Sequence, residues 1–386
     1  MRQIERAASD LLGWATKSAF PLWAQAGFDR DNGRFEERLT LQAKPIPDAP
    51  VRLMSQARQI YSYALAARQG WYRGAIELVE QGYASMIRDF HQKDGREGWI
   101  FSIRRDGTVC DARRDLYAHA FVLLALASYA QTTKCKRSLA LADQTLAFIE
   151  RRMRASQGGG FLEELPSSAN VRRQNPHMHL FEALLALWEC SGEVRHSTLA
   201  DEVFDLFAAR FFRSESGVLG EYFTADLEPA EGLAGRRVEP GHHYEWIWLL
   251  RRYEGLSGRS VQRFVDPLYR HADAFGYDGK GLIVDELLID GTVHARTHRA
   301  WPITEAIKAN VVEAERGRPG AEGKAALLAG LLLERFLVST PAGGWMDRLD
   351  ETGRPATEFM PASTLYHIAC ALGELCRSVG SPSQLP

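Results

Sequence analysis

The stretch Glu239-Pro240-Gly241-His242-His243-Tyr244-Glu245-Trp246 carries the residue types from which acid/base chemistry is built. Pro-Gly breaks the preceding segment, and the residues after it read as a helix start. His242 and Glu245 are three apart, so on that helix they share a face. A carboxylate beside an imidazole fixes its tautomer and raises its basicity, which prepares a general base. A capped, solvated helix start would use the same residues. What tips the reading towards chemistry is that stretches of this kind occur six times.

Each stretch opens a helix. The first holds Arg58 with Tyr61 three on, the second Tyr117 and His119, and the third Asn175, His177, His179 and Glu182. The fourth holds His242, His243, Glu245 and Trp248, the fifth Arg299, Trp301, Thr304 and Glu305, and the sixth Tyr366 and His367. Beyond these openings the helices are Leu and Ala. Buried titratable groups are costly unless paired, so a cluster of them in one concavity is a candidate functional site.

The elements that must position these residues follow from a repeat. Glycines at 33, 98, 160, 220, 281 and 344 are separated by 65, 62, 60, 61 and 63 residues. A fixed period with one supersecondary unit per repeat is a repeat architecture. The first helix of each unit is apolar nearly all round, as in Leu180-Phe181-Glu182-Ala183-Leu184-Leu185-Ala186-Leu187-Trp188. The second is amphipathic, as with Leu139, Ala142, Leu146 and Ile149 against Lys136, Arg137, Asp143 and Arg151. An all-apolar helix is buried and an amphipathic one faces water. The pattern predicts inner helices over 50–69, 112–131, 175–191, 241–256, 301–317 and 362–379. Outer helices are expected over 3–26, 73–92, 136–154, 197–213, 259–275 and 320–338. The expected fold is all-α: an (α/α)6 barrel of six helical hairpins with short β connections at the active-site end. One catalytic domain is expected over 1–386. An open solenoid would need capping repeats, and the number six favours closure.

Composition narrows the function classes. The chain has 386 residues, 45% apolar and 25% charged, with 47 Lys and Arg against 49 Asp and Glu. That balance carries no basic field for nucleic acid. Five scattered cysteines without CxxC spacing read as free thiols in a reducing compartment. The start, Met1-Arg2-Gln3-Ile4-Glu5-Arg6, carries no signal core, and no apolar run is long enough to span a bilayer. A cytoplasmic location is expected, with no membrane partner. His177-Met178-His179 and His242-His243 invite a metal, but such pairs point apart on a helix, and HExxH is missing. No metal and no cofactor are expected. Cys370 sits in a core-like run, and no phosphate-loop pattern occurs. His91, His196, His271, His294 and His298 read as surface or loop residues.

The motifs Pro240-Gly241-His242-x-x-Glu245-Trp246, Asn175-x-x-x-His179-x-x-Glu182-Ala183, Gln56-Ala57-Arg58-x-x-Tyr61, Arg299-x-Trp301-Pro302-x-Thr304-Glu305 and Tyr366-His367 together resemble the N-acylglucosamine 2-epimerase superfamily. The likeness runs in order along nearly the whole chain. It implies the same barrel and chemistry without a metal. It implies that His242 and His367 are the acid/base pair, with Glu245 behind His242 as its orienter. Arg58 would meet the carbonyl end of a sugar, and His179 with Asn175 the ring oxygen. Tyr117, Trp301 and Glu305 would be sugar contacts, and Glu182 and Trp248 are grouped with them as substrate-binding residues. A monosaccharide is the expected partner, and a homodimer is left open.

The chemistry agrees with these residue types. Moving a carbonyl between C1 and C2 requires removal of the weakly acidic C2 proton, for which an imidazole is suited. The enediolate oxygen needs a fixed cation, which Arg supplies. Returning the proton to C1 gives a ketose, and returning it to the other face of C2 gives an epimer. Met360-Pro361-Ala362-Ser363-Thr364 lacks the Trp expected, by likeness to cellobiose epimerases, to stack a second sugar. Asn175-Pro176-His177-Met178-His179 looks closer to mannose isomerase-like members. The first expectation is therefore a mannose–fructose isomerase. The alternatives are a sugar 2-epimerase, a mannose 6-phosphate isomerase drawing on Arg113, Arg114, Arg172 and Arg173, or a carbohydrate-binding protein. A glycoside hydrolase would need two carboxylates flanking the bond, but Glu182 and Glu245 each sit beside a histidine.

Overall fold

Helices that are apolar on every side cannot keep a solvent face, so others must surround them. The computed structural model, which describes residues 2–167, 171–338 and 341–380, shows how this is done. The helices are α1 (Gln3–Trp14), α2 (Phe20–Gln25), α3 (Leu53–Gln69), α4 (Ala75–Phe90), α5 (Leu116–Thr133), α6 (Lys136–Arg152), α7 (Asn175–Ser191), α8 (Val194–Leu206), α9 (Pro240–Ser257), α10 (Gln262–Phe275), α11 (Ala300–Glu315), α12 (Ala321–Arg335) and α13 (Thr364–Ser378). A π-helical turn over Ala15–Ala19 joins α1 to α2 as one rod.

The inner helices are α3, α5, α7, α9, α11 and α13. Each packs on the next, and α13 packs back on α3, so the ring closes. The outer helices α4, α6, α8, α10 and α12 each pack on the inner helix before them, while α1 packs on α12 and α13. The sixth hairpin is thus completed by a helix from the other end of the chain. The fold is the expected (α/α)6 barrel.

Short antiparallel strands ring the N-terminal ends of the inner helices. Val51–Arg52 pairs with Ser102–Ile103, Arg114–Asp115 with Glu164–Leu165, and Arg172–Arg173 with Tyr222–Phe223. Arg237–Val238 pairs with Glu286–Leu288, His298–Arg299 with Arg348–Leu349, and Phe359–Pro361 with Arg38–Thr40. In every case the strand leading into one inner helix pairs with the strand after the next unit's glycine turn. The sixth pairs with the first, and backbone hydrogen bonds stitch the mouth shut as a rim.

Three of the mouth histidines serve that rim. His119 Nε2 accepts the Trp99 N–H at 3.2 Å, His177 Nε2 that of Phe161 at 3.0 Å, and His243 Nε2 that of Leu219 at 3.0 Å. In the first unit Gln56 does the same work, accepting from Phe35 N–H at 2.9 Å and donating to its carbonyl at 2.7 Å. Gly160 permits one of these clamps. Its φ is +65°, and a Cβ there would meet His177 Nε2 at 2.7 Å. Burial holds these imidazoles neutral, at about 4 for His119 and about 3 for His177.

The reading of the remaining histidines as surface groups needs correction for three of them. His196, His271 and His298 are buried. His196 lies between Ser191 Oγ at 2.8 Å and Asp143 at 3.1 Å, and His298 donates to the Ile283 carbonyl at 2.8 Å. Each of these two ties an element to its neighbour.

Candidate active site

Inside the rim, side chains from all six inner helices converge. Arg58 on α3 donates from Nη2 to the Tyr117 hydroxyl on α5 at 2.6 Å. Its guanidinium lies 4.1 Å from the centre of the Phe121 ring and 5.0 Å from that of Tyr366. This aromatic seat fixes a buried cation that has no carboxylate ion-pair partner among the described residues. The Tyr117 ring meets the His179 ring edge-on at 5.0 Å. His179 Nδ1 bonds Glu182 Oε2 at 3.0 Å, and the Tyr366 hydroxyl donates to the other oxygen of Glu182. His179 Nε2 is 3.9 Å from Glu245 Oε1.

Two further imidazoles stand beside Trp301. The indole of Trp301 is 4.9 Å from the His242 ring and 5.9 Å from the His367 ring. Each imidazole is held from behind through Nδ1: His242 by Glu221 Oε2 at 3.0 Å, and His367 by Glu305 Oε1 at 2.8 Å. With Nδ1 engaged, Nε2 is the free nitrogen of each ring.

The two rings differ in charge. Burial disfavours the imidazolium of His242, but Glu221, Glu239 and Glu245 together outweigh it and raise the group to about 9. Burial also disfavours the imidazolium of His367, and there the nearby cations Arg58 and Lys308 add to it, so its pKa falls well below the ordinary value. His242 is therefore protonated and His367 neutral at neutral pH. Two like groups driven apart by their surroundings are an acid and a base.

The carboxyl groups divide in the same way. Burial opposes the ionised form of Glu182, but the bonds from His179 and Tyr366 hold it at about 2. Glu245 is pushed well above the usual carboxylate range by burial and by Glu305 and Glu182 beside it. Glu245 is thus the weaker acid of the two.

A sequence model of the N-acylglucosamine 2-epimerase (GlcNAc 2-epimerase) family matches residues 33–371. The chain belongs to that family. A mannose-6-phosphate isomerase of Rhizobium meliloti (strain 1021) is 37% identical over 381 residues, 95% of this chain and 96% of that protein. A D-mannose isomerase of Thermobifida fusca is 27% identical, with 81% of this chain and 80% of that protein covered. The solved cellobiose 2-epimerase of Bacillus thermoamylovorans B4167 superposes with a TM-score of 0.86 at 18% identity, covering 96% of this chain and 99% of that one. This family member is an enzyme, an isomerase or epimerase acting on carbohydrates.

Of the residues singled out from the sequence, the mouth brings together Arg58, Tyr117, His179, Glu182, His242, Glu245, Trp301, Glu305 and His367. Asn175 opens α7 with its Oδ1 buried and unbonded among the described residues, one turn before His179. Four placements differ from expectation. The carboxylate on His242 is Glu221, not Glu245. The Nδ1 edge of His242 faces its own unit's glycine turn, where Glu221 follows Gly220, whereas Glu245 extends towards His179 on the neighbouring helix. Glu305 is wholly enclosed between His367 and Lys308, with no surface for a sugar. Glu182 is likewise spent on His179 and Tyr366. Trp248 lies six residues beyond His242, about 9 Å deeper along the helix. It lines a separate cavity of about 430 Å³ with Arg68, Glu189, Arg252 and Arg377, near the other ends of the inner helices.

Sequence reasoning missed Glu221, its supports and Lys308. Gln174 donates to Glu221 Oε2 at 3.0 Å and accepts from Trp246 Nε1 at 2.8 Å. A signal existed. An acidic residue follows the glycine turn in most units, and it ties down the start of that unit's inner helix: Glu37 accepts from Arg52 N–H at 2.9 Å, and Asp285 from Arg299 N–H at 3.0 Å. Glu221 accepts from Glu239 N–H at 3.3 Å and takes His242 as well.

Among the described residues, three groups could offer clustered ligands to a metal: Glu221, Glu239 and His242; His179, Glu182 and Glu245; and Glu245, Glu305 and His367. Each group has a carboxylate that already has a partner. Glu239 is paired with Arg299 at 2.6 Å, Glu305 with Lys308 at 2.5 Å, and Glu182 with Tyr366. A divalent ion would have to displace these cations and donors.

Proposed function

We propose that this enzyme is an aldose–ketose isomerase interconverting D-mannose and D-fructose by proton transfer through an enediolate, with no metal. The observation that carries this is the pair of imidazoles beside Trp301, each held through Nδ1 by a carboxylate, with surroundings that push one towards the charged and the other towards the neutral form. In the forward direction the neutral His367 takes the C2 proton at Nε2. The negative charge that develops on O1 is met by the Arg58 guanidinium and the His242 imidazolium. His242 gives a proton to O1 and recovers one from O2, and His367 returns its proton to C1. The product is the ketose, and both histidines end as they began. Asn175 and His179 serve ring opening. Return of a proton to the other face of C2 would give the epimer instead.

A cavity of about 740 Å³ lies among the rim strands, lined by Arg38, Arg52, Phe101, Asp111, Phe359 and Pro361 among others. That is ample for one sugar. A second reading, with mannose 6-phosphate as substrate, is favoured by the 37% identical relative of that name. Of the arginines weighed for a phosphate, Arg114 is clamped on Asp94 at 2.7 and 2.8 Å, and Arg172 donates to four backbone carbonyls. Arg38 is the better candidate: its guanidinium lies 4.4 Å from the Phe359 ring centre, with no carboxylate partner among the described residues. Product analysis with chelator-treated protein on mannose, mannose 6-phosphate and cellobiose tests the proposal. Fructose from mannose is expected. Glucose without fructose, or turnover of cellobiose alone, would overturn it.

A further inference from the structure

Lys308 stands on α11 three residues after Glu305 and is fully enclosed. Its Nζ is 2.5 Å from Glu305 Oε2, and the other oxygen of Glu305 bonds His367 Nδ1 at 2.8 Å. The Trp248 ring closes the far side, 3.7 Å from Nζ. We propose that Lys308 is a positioning residue for the reaction: it keeps Glu305 a carboxylate, and so keeps the proton of His367 on Nδ1 and the lone pair on Nε2. The inference rests on the assignment of His367 as the base.

A buried ammonium is costly, and packing alone does not call for one at this place. Lys308 faces the groups that would otherwise compete for protons. These are Glu182 from α7, Glu245 from α9, and His367 and Cys370 from α13, with Arg58 the other cation acting on His367. Burial pushes the Glu305 carboxyl up and Lys308 is the charge that opposes it. Of the pair Glu245 and Glu305, Glu245 is pushed further up, and it is Glu305 that the ammonium contacts directly.

Without the ammonium, Glu305 would take up a proton at neutral pH. Its O–H would then donate to Nδ1, and the ring's own proton would move to Nε2. That is the atom that must receive the C2 proton. The imidazole would stay in place and stay neutral, yet present a donor where a lone pair is needed. A wrong tautomer in an unchanged geometry is enough to disable a histidine base.

The test uses full-length protein labelled with ¹⁵N-histidine, without any sugar, so that its result does not depend on the substrate assignment. Long-range ¹H–¹⁵N spectra, with His367 assigned by its loss in His367→Asn, report which ring nitrogen is protonated. In the wild type His367 Nε2 is expected to be a bare, pyridine-type nitrogen over roughly pH 6 to 9. In Lys308→Met it is expected to become a protonated, pyrrole-type nitrogen near neutral pH and to revert as the pH rises. Lys308→Gln keeps a donor without the charge, is less disruptive to the fold, and is expected to show the same flip. In turnover either variant should lose about 10²–10⁴-fold in kcat, with KM little changed and the acid limb of the profile displaced upward. A His367 tautomer unchanged in whichever variant folds, or a wild-type Nε2 that already carries the proton, would overturn the proposal. Failure of the wild type to turn over mannose would instead count against the isomerase assignment alone.

Discussion

Glu221 Oε2 lies 3.0 Å from His242 Nδ1, although 21 residues separate the two. The carboxylate comes from the glycine turn of the fourth unit and the imidazole from that unit's inner helix. This pairing, with Glu239 and Glu245 nearby, holds His242 at about 9. His242 works as an imidazolium, so activity is present below that value and lost as pH rises through it. Glu221→Gln removes the largest charge raising the group. The alkaline limb of kcat should then move down by more than one pH unit, and kcat should fall about 10²-fold. Glu245→Gln should move that limb less, and a pH–rate profile of the two variants separates the roles.

Gly241 precedes His242 because no side chain fits there. A Cβ at this position would stand 2.5 Å from Trp301 Cη2 and 2.9 Å from Pro302 Cβ. Gly241→Ala should displace the indole that stands beside both imidazoles. Overpacking of this kind costs about 1–3 kcal/mol of stability, and misplacement of a reacting group can cost about 10²-fold in rate. Denaturant unfolding and kcat/KM, measured on the same preparation, check both effects.

Arg58 is held by geometry that a lysine cannot reproduce. Its flat guanidinium bonds Tyr117 at 2.6 Å while stacked near Phe121 and Tyr366. Arg58→Lys keeps the charge but loses the fork and the stacking. A loss of about 10²–10³-fold in kcat is expected, the scale of removing one donor to a developing oxyanion. Tyr117→Phe should weaken substrate binding more than it slows turnover.

The rim histidines set the acid stability of the fold. His119 is held at about 4 against an ordinary value of 6.5 because burial disfavours its charged form. The unfolded chain takes up the proton first, so stability is full above pH 6.5 and declines as the pH falls towards about 4, by ~1.4 kcal/mol per pH unit for this one group. His242 acts in the opposite direction. Its stabilising charge is present below 6.5 and is lost as the pH rises through about 9. His119→Gln substitutes the residue used at the matching place in the first unit, Gln56. It should flatten the decline between pH 6.5 and 4, as followed by urea midpoints across that range.

The barrel was legible because its signals are local and repeated. The glycine spacing marks the units, and the contrast of all-apolar and amphipathic helices assigns inside and outside. That the polar residues cluster at one mouth follows from the common direction of the inner helices. The partners of those residues were not legible, because they are set across units. Glu305 and His367 meet from helices 62 residues apart, and Tyr366 reaches Glu182 across 184. Trp248 was misplaced because sharing a helix with His242 says nothing of depth. His119, His177 and His243 resemble catalytic groups in type and position, and only the backbone N–H of the neighbouring strand reveals that they are spent on the rim.

The most direct test of the central claim is the fate of the C2 hydrogen. Chelator-treated enzyme is incubated with D-mannose in D₂O and followed by NMR, beside His367→Asn. Fructose carrying deuterium at C1, or protium transferred there from C2, is predicted for the wild type, with neither product nor exchange in the variant. Loss of the C2 hydrogen with only glucose formed, or unchanged fructose production by His367→Asn, would contradict it.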